Sequence, residues 1–193
     1  MILRLEKIFS PGNPQTRSEI LASLQKLHGE SHQFLDTLTD AEFFIPQGEK
    51  WSPAEQVRHL TKSVRPVAQA LRLPRIALAL LFGRQRAASR SFVEIEAFYQ
   101  NKLQTGVTAG RFAPSPQPAP NDPRARRAEI VQHWQEAHRQ LERAIVTWPE
   151  AALDRYRLPH PVLGKLTLRE MLFFTLYHNA HHVRQVYERR EAS

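Results

Sequence analysis

The chain has 193 residues, 41% apolar and 24% charged, with 27 Lys and Arg against 19 Asp and Glu for a net charge of +8. That length accommodates a single domain spanning residues 1–193 with a substantial core, and the composition argues against general disorder. The absence of cysteine excludes disulfides, thiolate metal sites and a cysteine nucleophile, so any metal must sit on His, Asp or Glu.

The opening stretch MILRLEKIFS contains Glu6 and no continuous apolar core, which argues against a secretory signal. From Thr16 to about Thr39, Ile20, Leu24, Leu27, Leu35 and Leu38 fall on one helical stripe interrupted by Gly29, predicting a first long helix. In WSPAEQVRHL, Ser52 caps a second helix opened by Pro53, with Glu55 completing a capping box. It should run to about Leu71 and be ended or kinked at Pro66, where a backbone donor is lost.

Residues 74–105 predict one or two shorter helices, including FVEIEAFYQNKL. The longest apolar run, Ile76 to Phe82, falls far short of the ~20 residues that cross a bilayer, so no membrane insertion is expected and the simplest location is the cytoplasm. Ala113 to Pro123 is too proline-rich for helix or strand and reads as an extended loop.

Pro123 opens a third long helix, capped by Asn121 or Asp122, carrying Ile130, Trp134, Ala137, Leu141 and Ile145 before Pro149 closes it. A last helix starts at a second capping box, Thr167 with Glu170, and reaches about Arg190. No alternation of β-branched residues persists long enough to predict a strand. The expectation is an all-α four-helix bundle with additional short helices and a Pro-rich loop between the second and third long helices.

Basic residues cluster at Arg84, Arg86 and Arg90 and at Arg124, Arg126 and Arg127, without interleaved aromatics. They read as a solvated arginine-rich surface, and a nucleic-acid partner is disfavoured. The last helix is apolar beyond its core stripe, with Phe173, Leu176, Tyr177, Ala180, Val183 and Tyr187 forming a further row. A homodimer would bury this row, as would the connection from Leu73 to Leu103.

Three of the nine histidines lie within YHNAHHVRQV. His178 and His182, one turn or about 6 Å apart along the axis, continue the inward stripe of Leu168, Met171, Leu172 and Thr175 and can reach one ion, whereas His181 is rotated by about 100° onto the flank. His28 and His32 share this spacing but sit among small and polar residues, reading as a solvated surface pair, and His133 and His138 are spaced less well for one ion. His160 lies in the loop LPHPVLGKL. His59 in the second helix supplies a third imidazole if that helix packs on the last, making His59, His178 and His182 the candidate metal set with coordination positions left open. Glu55 and Gln185 are candidates for orienting the imidazoles, with helix capping the competing role of Glu55.

WSPAEQVRHL followed far downstream by LTLREMLFFTLYHNAHHVRQV resembles the DinB/YfiT-like superfamily of four-helix-bundle metalloproteins, over most of the chain. The resemblance implies that His59, His178 and His182 bind a divalent metal, with zinc, nickel and iron not distinguished. It implies a cofactor-like role for a low-molecular-weight thiol such as bacillithiol, mycothiol or glutathione, since members with assigned activity are often thiol-dependent transferases and a few are isomerases or hydrolases. The expected function is therefore a metal-dependent enzyme activating a thiol or water toward a small-molecule substrate. The alternatives are a metal-binding bundle with a structural or sensing role, and a basic binder of nucleic acid or membrane surfaces. Leu73 to Pro123 carries no matching motif and is where substrate choice is expected to be decided.

Overall fold

A computed structural model of the chain describes residues 8–46 and 50–191. Residues 1–7, which carry most of the argument against a secretory signal, lie outside the described residues. Helix α1 spans Arg17–Asp36 and α2 Asp40–Phe44. Helix α3 spans Pro53–Leu71, α4 Arg75–Phe82 and α5 Phe92–Gln104. A single 3-10 turn at Gly110–Phe112 precedes α6, Pro123–Val146, and the chain closes with α7, Leu168–Glu191.

The helix starts follow the capping chemistry of the sequence. Thr16, Thr39, Ser52 and Ser91 each form a reciprocal capping box with the glutamate three residues on, and Asp122, rather than Asn121, caps α6. Thr167 accepts from Glu170 N at 3.1 Å while Glu170 Oε2 accepts from Thr167 N at 2.9 Å. Ser52 is buried, so Ser52→Ala is expected to cost about 1 kcal/mol of stability, read as a lower urea midpoint at unchanged slope.

Helix α3 runs to Leu71 as expected, and of the two outcomes expected at Pro66 it is not ended there; Val64, Val67, Ala68 and Leu71 are buried around it, and that packing holds the last turns despite the missing donor. The predicted absence of strands is revised, because Arg157–His160 (β1) and Gly164–Thr167 (β2) form an antiparallel hairpin with Leu158 opposite Leu166. Each strand has four residues and β1 contains Pro159, too little pattern for a periodicity reading; Gly164 takes the left-handed conformation that closes the turn, at φ +75°.

The four long helices form the bundle. Helix α7 packs on α1 and α3, and α6 packs on α3 and α1, so the order around the bundle is α1, α7, α3, α6. The first two long helices of the chain, α1 and α3, are thus diagonal, as are the last two, α6 and α7, and the long connections between them are what this order requires. The core joins Ile20, Leu24, Leu60, Trp134, Leu141, Ile145 and Leu172.

Helix α5 lies along α7, with Phe92 edge-on to Phe173 and Tyr99 edge-on to Phe174 and Tyr177. Tyr187, farther along, packs against Phe9 and Phe34. The extra apolar row of α7 is therefore covered from within the chain, and it no longer argues for a homodimer. Exposed apolar surface lies instead on α4, where Ile76 and Leu80 are 76% and 82% accessible. Among the described residues no helix is long and apolar enough to cross a membrane.

Candidate metal centre

Packing of α3 against α7 brings His59, His178 and His182 together, all three buried. His59 Nε2 lies 3.0 Å from His178 Nε2, and His182 Nε2 lies 3.1 Å from the same atom. The outer nitrogens fix the protons. His59 Nδ1 donates to the carbonyl of Phe112 at 2.9 Å, and a carbonyl only accepts. His182 Nδ1 is bonded to Gln56 Oε1, and the amide of Gln56 faces Gln185 Oε1 at 3.5 Å.

Both rings therefore carry their proton on Nδ1 and turn an Nε2 lone pair toward His178. One proton on His178 Nε2 can point along only one of these contacts and leaves the lone pair at the other without a donor. A shared cation removes the conflict, and nitrogens ~2.1 Å from one ion and seen from it at about right angles stand about 3 Å apart. The donor set thus fits a divalent ion.

Burial holds all three rings neutral. It lowers the His59 pKa, opposed by the bond to Phe112, and it takes His178 and His182 well below the usual imidazole range, with mutual repulsion among the rings adding to the effect. A neutral imidazole is the form that ligates.

The groups that orient the rings differ from those expected. Glu55 spends its oxygens on the α3 cap and on Gln117 N at 3.0 Å, and neither bonds an imidazole. Gln185 acts one step away, through Gln56, and its Nε2 meets His181 Nε2 at 2.8 Å. The Phe112 carbonyl and Gln56 take the orienting role instead. A backbone carbonyl supplied from a loop leaves no mark in a sequence, whereas Gln56, three residues before His59 on the same stripe, was visible as an inward polar side chain.

The three histidines open onto a cleft of about 430 Å³. Its walls are largely apolar, with Val67, Leu103, Leu158, Val162 and Phe174 among them, and Arg111, His160, His181 and Gln185 supply polar groups. Arg84 is elsewhere, donating to the Tyr156 hydroxyl at 2.7 Å. The Pro-rich segment runs over α3, where the carbonyls of Ala113 and Ser115 accept from Lys62 and Arg58, so the cleft wall comes from residues just before it. Tyr177 is buried and accepts from Gln100 at 3.2 Å, a packed aromatic outside the cleft lining.

His160, read from the sequence as a loop residue, reaches the cleft because the β-hairpin carries it there. Val162 N and Leu163 N both donate to its Nδ1, at 3.2 and 3.0 Å, so its own proton sits on Nε2. Burial lowers its pKa to about 4, making it a neutral hydrogen-bond donor at neutral pH.

His28 and His32 do not form the solvated pair expected. His32 meets Asp36 at 3.0 Å, while His28 turns inward and stacks on His138. Two residues of one spacing part because α1 presents one edge to α6 and the next to solvent.

Comparison with solved structures finds similarity to YfiT from Bacillus subtilis, a probable metal-dependent hydrolase with an unusual four-helix bundle topology. The TM-score is 0.55 at 18% identity, covering 91% of this chain and 87% of that one. Comparison with curated proteins gives no match. The family model described as DinB superfamily matches residues 43–186, a span containing all three converging histidines, all of α3 and most of α7, and the chain belongs to that superfamily.

Proposed function

We propose that this protein is a divalent-metal-dependent transferase that adds a low-molecular-weight thiol to a small apolar electrophile, with His59, His178 and His182 as the metal ligands. The observation that carries this reading is the placement of the histidine cluster in the wall of an apolar cleft rather than in a closed core. A divalent ion held there supplies the positive charge that lowers the pKa of a thiol or water placed beside it.

The chain's own residues account for the rest. The apolar walls exclude water and bury the electrophile. Arg111 lines the cleft and can pair with a carboxylate of the thiol, and His160 can donate through Nε2 to an oxygen that gains charge. Among the described residues no carboxylate lines the cleft, and its two histidines outside the metal set have their accepting nitrogens taken, His160 Nδ1 by Val162 N and Leu163 N and His181 Nε2 by Gln185 Nε2, so no free general base for water faces it. That favours a thiol, whose ionisation at neutral pH needs less help than that of water. The YfiT likeness supports hydrolysis as the second reading.

The test is consumption of a model electrophile by the purified protein with thiol and metal supplied separately and together. Turnover above the uncatalysed thiol reaction is expected only with both, rising with pH and absent in His59→Ala. Arg111→Ala should raise KM about tenfold for a carboxylate-bearing thiol and leave an uncharged thiol unchanged, as expected for loss of one charge-assisted hydrogen bond. Turnover with metal alone and water as nucleophile overturns the transferase reading in favour of the hydrolase, and no turnover with either leaves a non-catalytic metal bundle.

A further inference from the structure

We propose that His28, His138 and Glu142 form a second divalent-cation site, joining α1 to α6. One ligand atom from each lies within 4.8 Å of the others. His138 and Glu142 are one turn apart on α6, and His28 faces them from α1. Two imidazoles and one carboxylate make a donor set suited to zinc and other divalent first-row ions.

The observation that calls for a ligand is a pair of stranded nitrogens. His138 is 1% accessible, and its Nε2 meets Asn179 Oδ1 at 3.1 Å. The amide of Asn179 donates to the Thr175 carbonyl at 2.8 Å, so its oxygen is the group facing the histidine and the His138 proton must sit on Nε2. The Nδ1 lone pair is then buried with no hydrogen-bond partner, and His28 Nε2 is buried and unpartnered as well.

The two rings cannot satisfy each other. They lie face to face, 4.4 Å between centroids and 5° between planes, so neither points an N–H at the other's lone pair. Trp134 closes one side, edge-on to His28 at 4.5 Å and to His138 at 5.2 Å. Glu142 is partly exposed, and Gln25 Nε2 reaches its Oε2 at 3.4 Å, holding the carboxylate from α1. Unpaired buried polar atoms cost roughly 1–3 kcal/mol each, and a cation bound by the two rings, rotated out of their stack so that both lone pairs face it, would remove two at once. The site stands apart from the cluster on α3 and α7, sharing no ligand with it.

The experiment is equilibrium dialysis of the full chain against Zn2+ alone, with bound metal counted per chain in the wild type, His28→Gln, Glu142→Gln and His59→Ala. The two substitutions at the proposed site are on partly exposed residues, and circular dichroism reports whether each variant is folded. Both should lose one equivalent that His59→Ala retains, with affinity at that site falling by more than the roughly 10–100-fold that loss of a mere orienting partner brings. In His59→Ala, Zn2+ should still raise the melting temperature, and in the double variant His59→Ala/Glu142→Gln it should not. Unchanged stoichiometry and affinity in both folded variants, His28→Gln and Glu142→Gln, overturns the proposal. The outcome for His59→Ala tests the cleft site separately, so either site can fail alone.

Discussion

His178→Ala should remove one equivalent of tightly bound divalent ion from a chain that remains folded, and His181→Ala should leave that equivalent in place. His178 is the hinge of the cluster, since its Nε2 is the atom that both His59 Nε2 and His182 Nε2 approach. Without it one donor remains on each of the two adjacent helices α3 and α7, and affinity should fall by well over the 10–100-fold typical of an outer-shell loss. His181 lies one residue before His182 but bonds Gln185, on the flank of α7. Isothermal titration with Zn2+, or the visible spectrum after cobalt substitution, distinguishes the two variants. Equal affinity in wild type and His178→Ala would remove the basis for the metal centre.

The metal-free chain should lose stability steeply between pH 6.5 and 4. Burial lowers the pKa of His28 to about 4, with repulsion from His32 and Arg139 adding to it, that of His138 to about 3 and that of His160 to about 4. An unfolded histidine titrates near 6.5. Below that pH the unfolded chain takes up protons that the folded chain refuses, so the stability contributed by these three groups is present above about 6.5 and is lost as pH falls toward their folded values. At up to ~1.4 kcal/mol per group per pH unit, the three together are worth about 3–4 kcal/mol between pH 6 and 5.

Glu170 adds to the loss at lower pH. Burial pushes its carboxyl up, but bonds from Arg90 and the Thr167 amide outweigh that and hold it low, so its stabilisation fades as pH drops through its folded value. Urea denaturation in chelator at pH 7 and pH 5.5 measures the effect. Equal free energies at the two pH values would mean that these histidines are not held neutral in the fold. Bound Zn2+ should steepen the loss, since protons compete with it for the same nitrogens.

Capping boxes at Ser52 and Thr167, apolar stripes of period 3.6 and prolines at the first turn are local signals, each readable within a few residues. They place α3, α6 and α7 to within a residue or two, and with the inward stripe they make His178 and His182 candidates. The short hairpin escaped because a four-residue strand with a proline has no period to read, and with it went the position of His160 in the cleft. The path of α3 through Pro66 was decided by burial of the residues around it rather than by its intrinsic preference.

The rest depends on which helix faces which. A spacing of four residues is the same at His28 and His32 as at His178 and His182, so sequence alone could not say that the second pair meets His59 while His28 leaves its neighbour for His138. The orienting carbonyl of Phe112 and the pairing of Asn179 with His138 join residues 53 and 41 positions apart. Lone-pair direction is set by such contacts, and they exist only once the helices have packed. The residue types capable of holding a metal were therefore legible in the chain, but the choice among them was made by the order α1, α7, α3, α6 around the bundle.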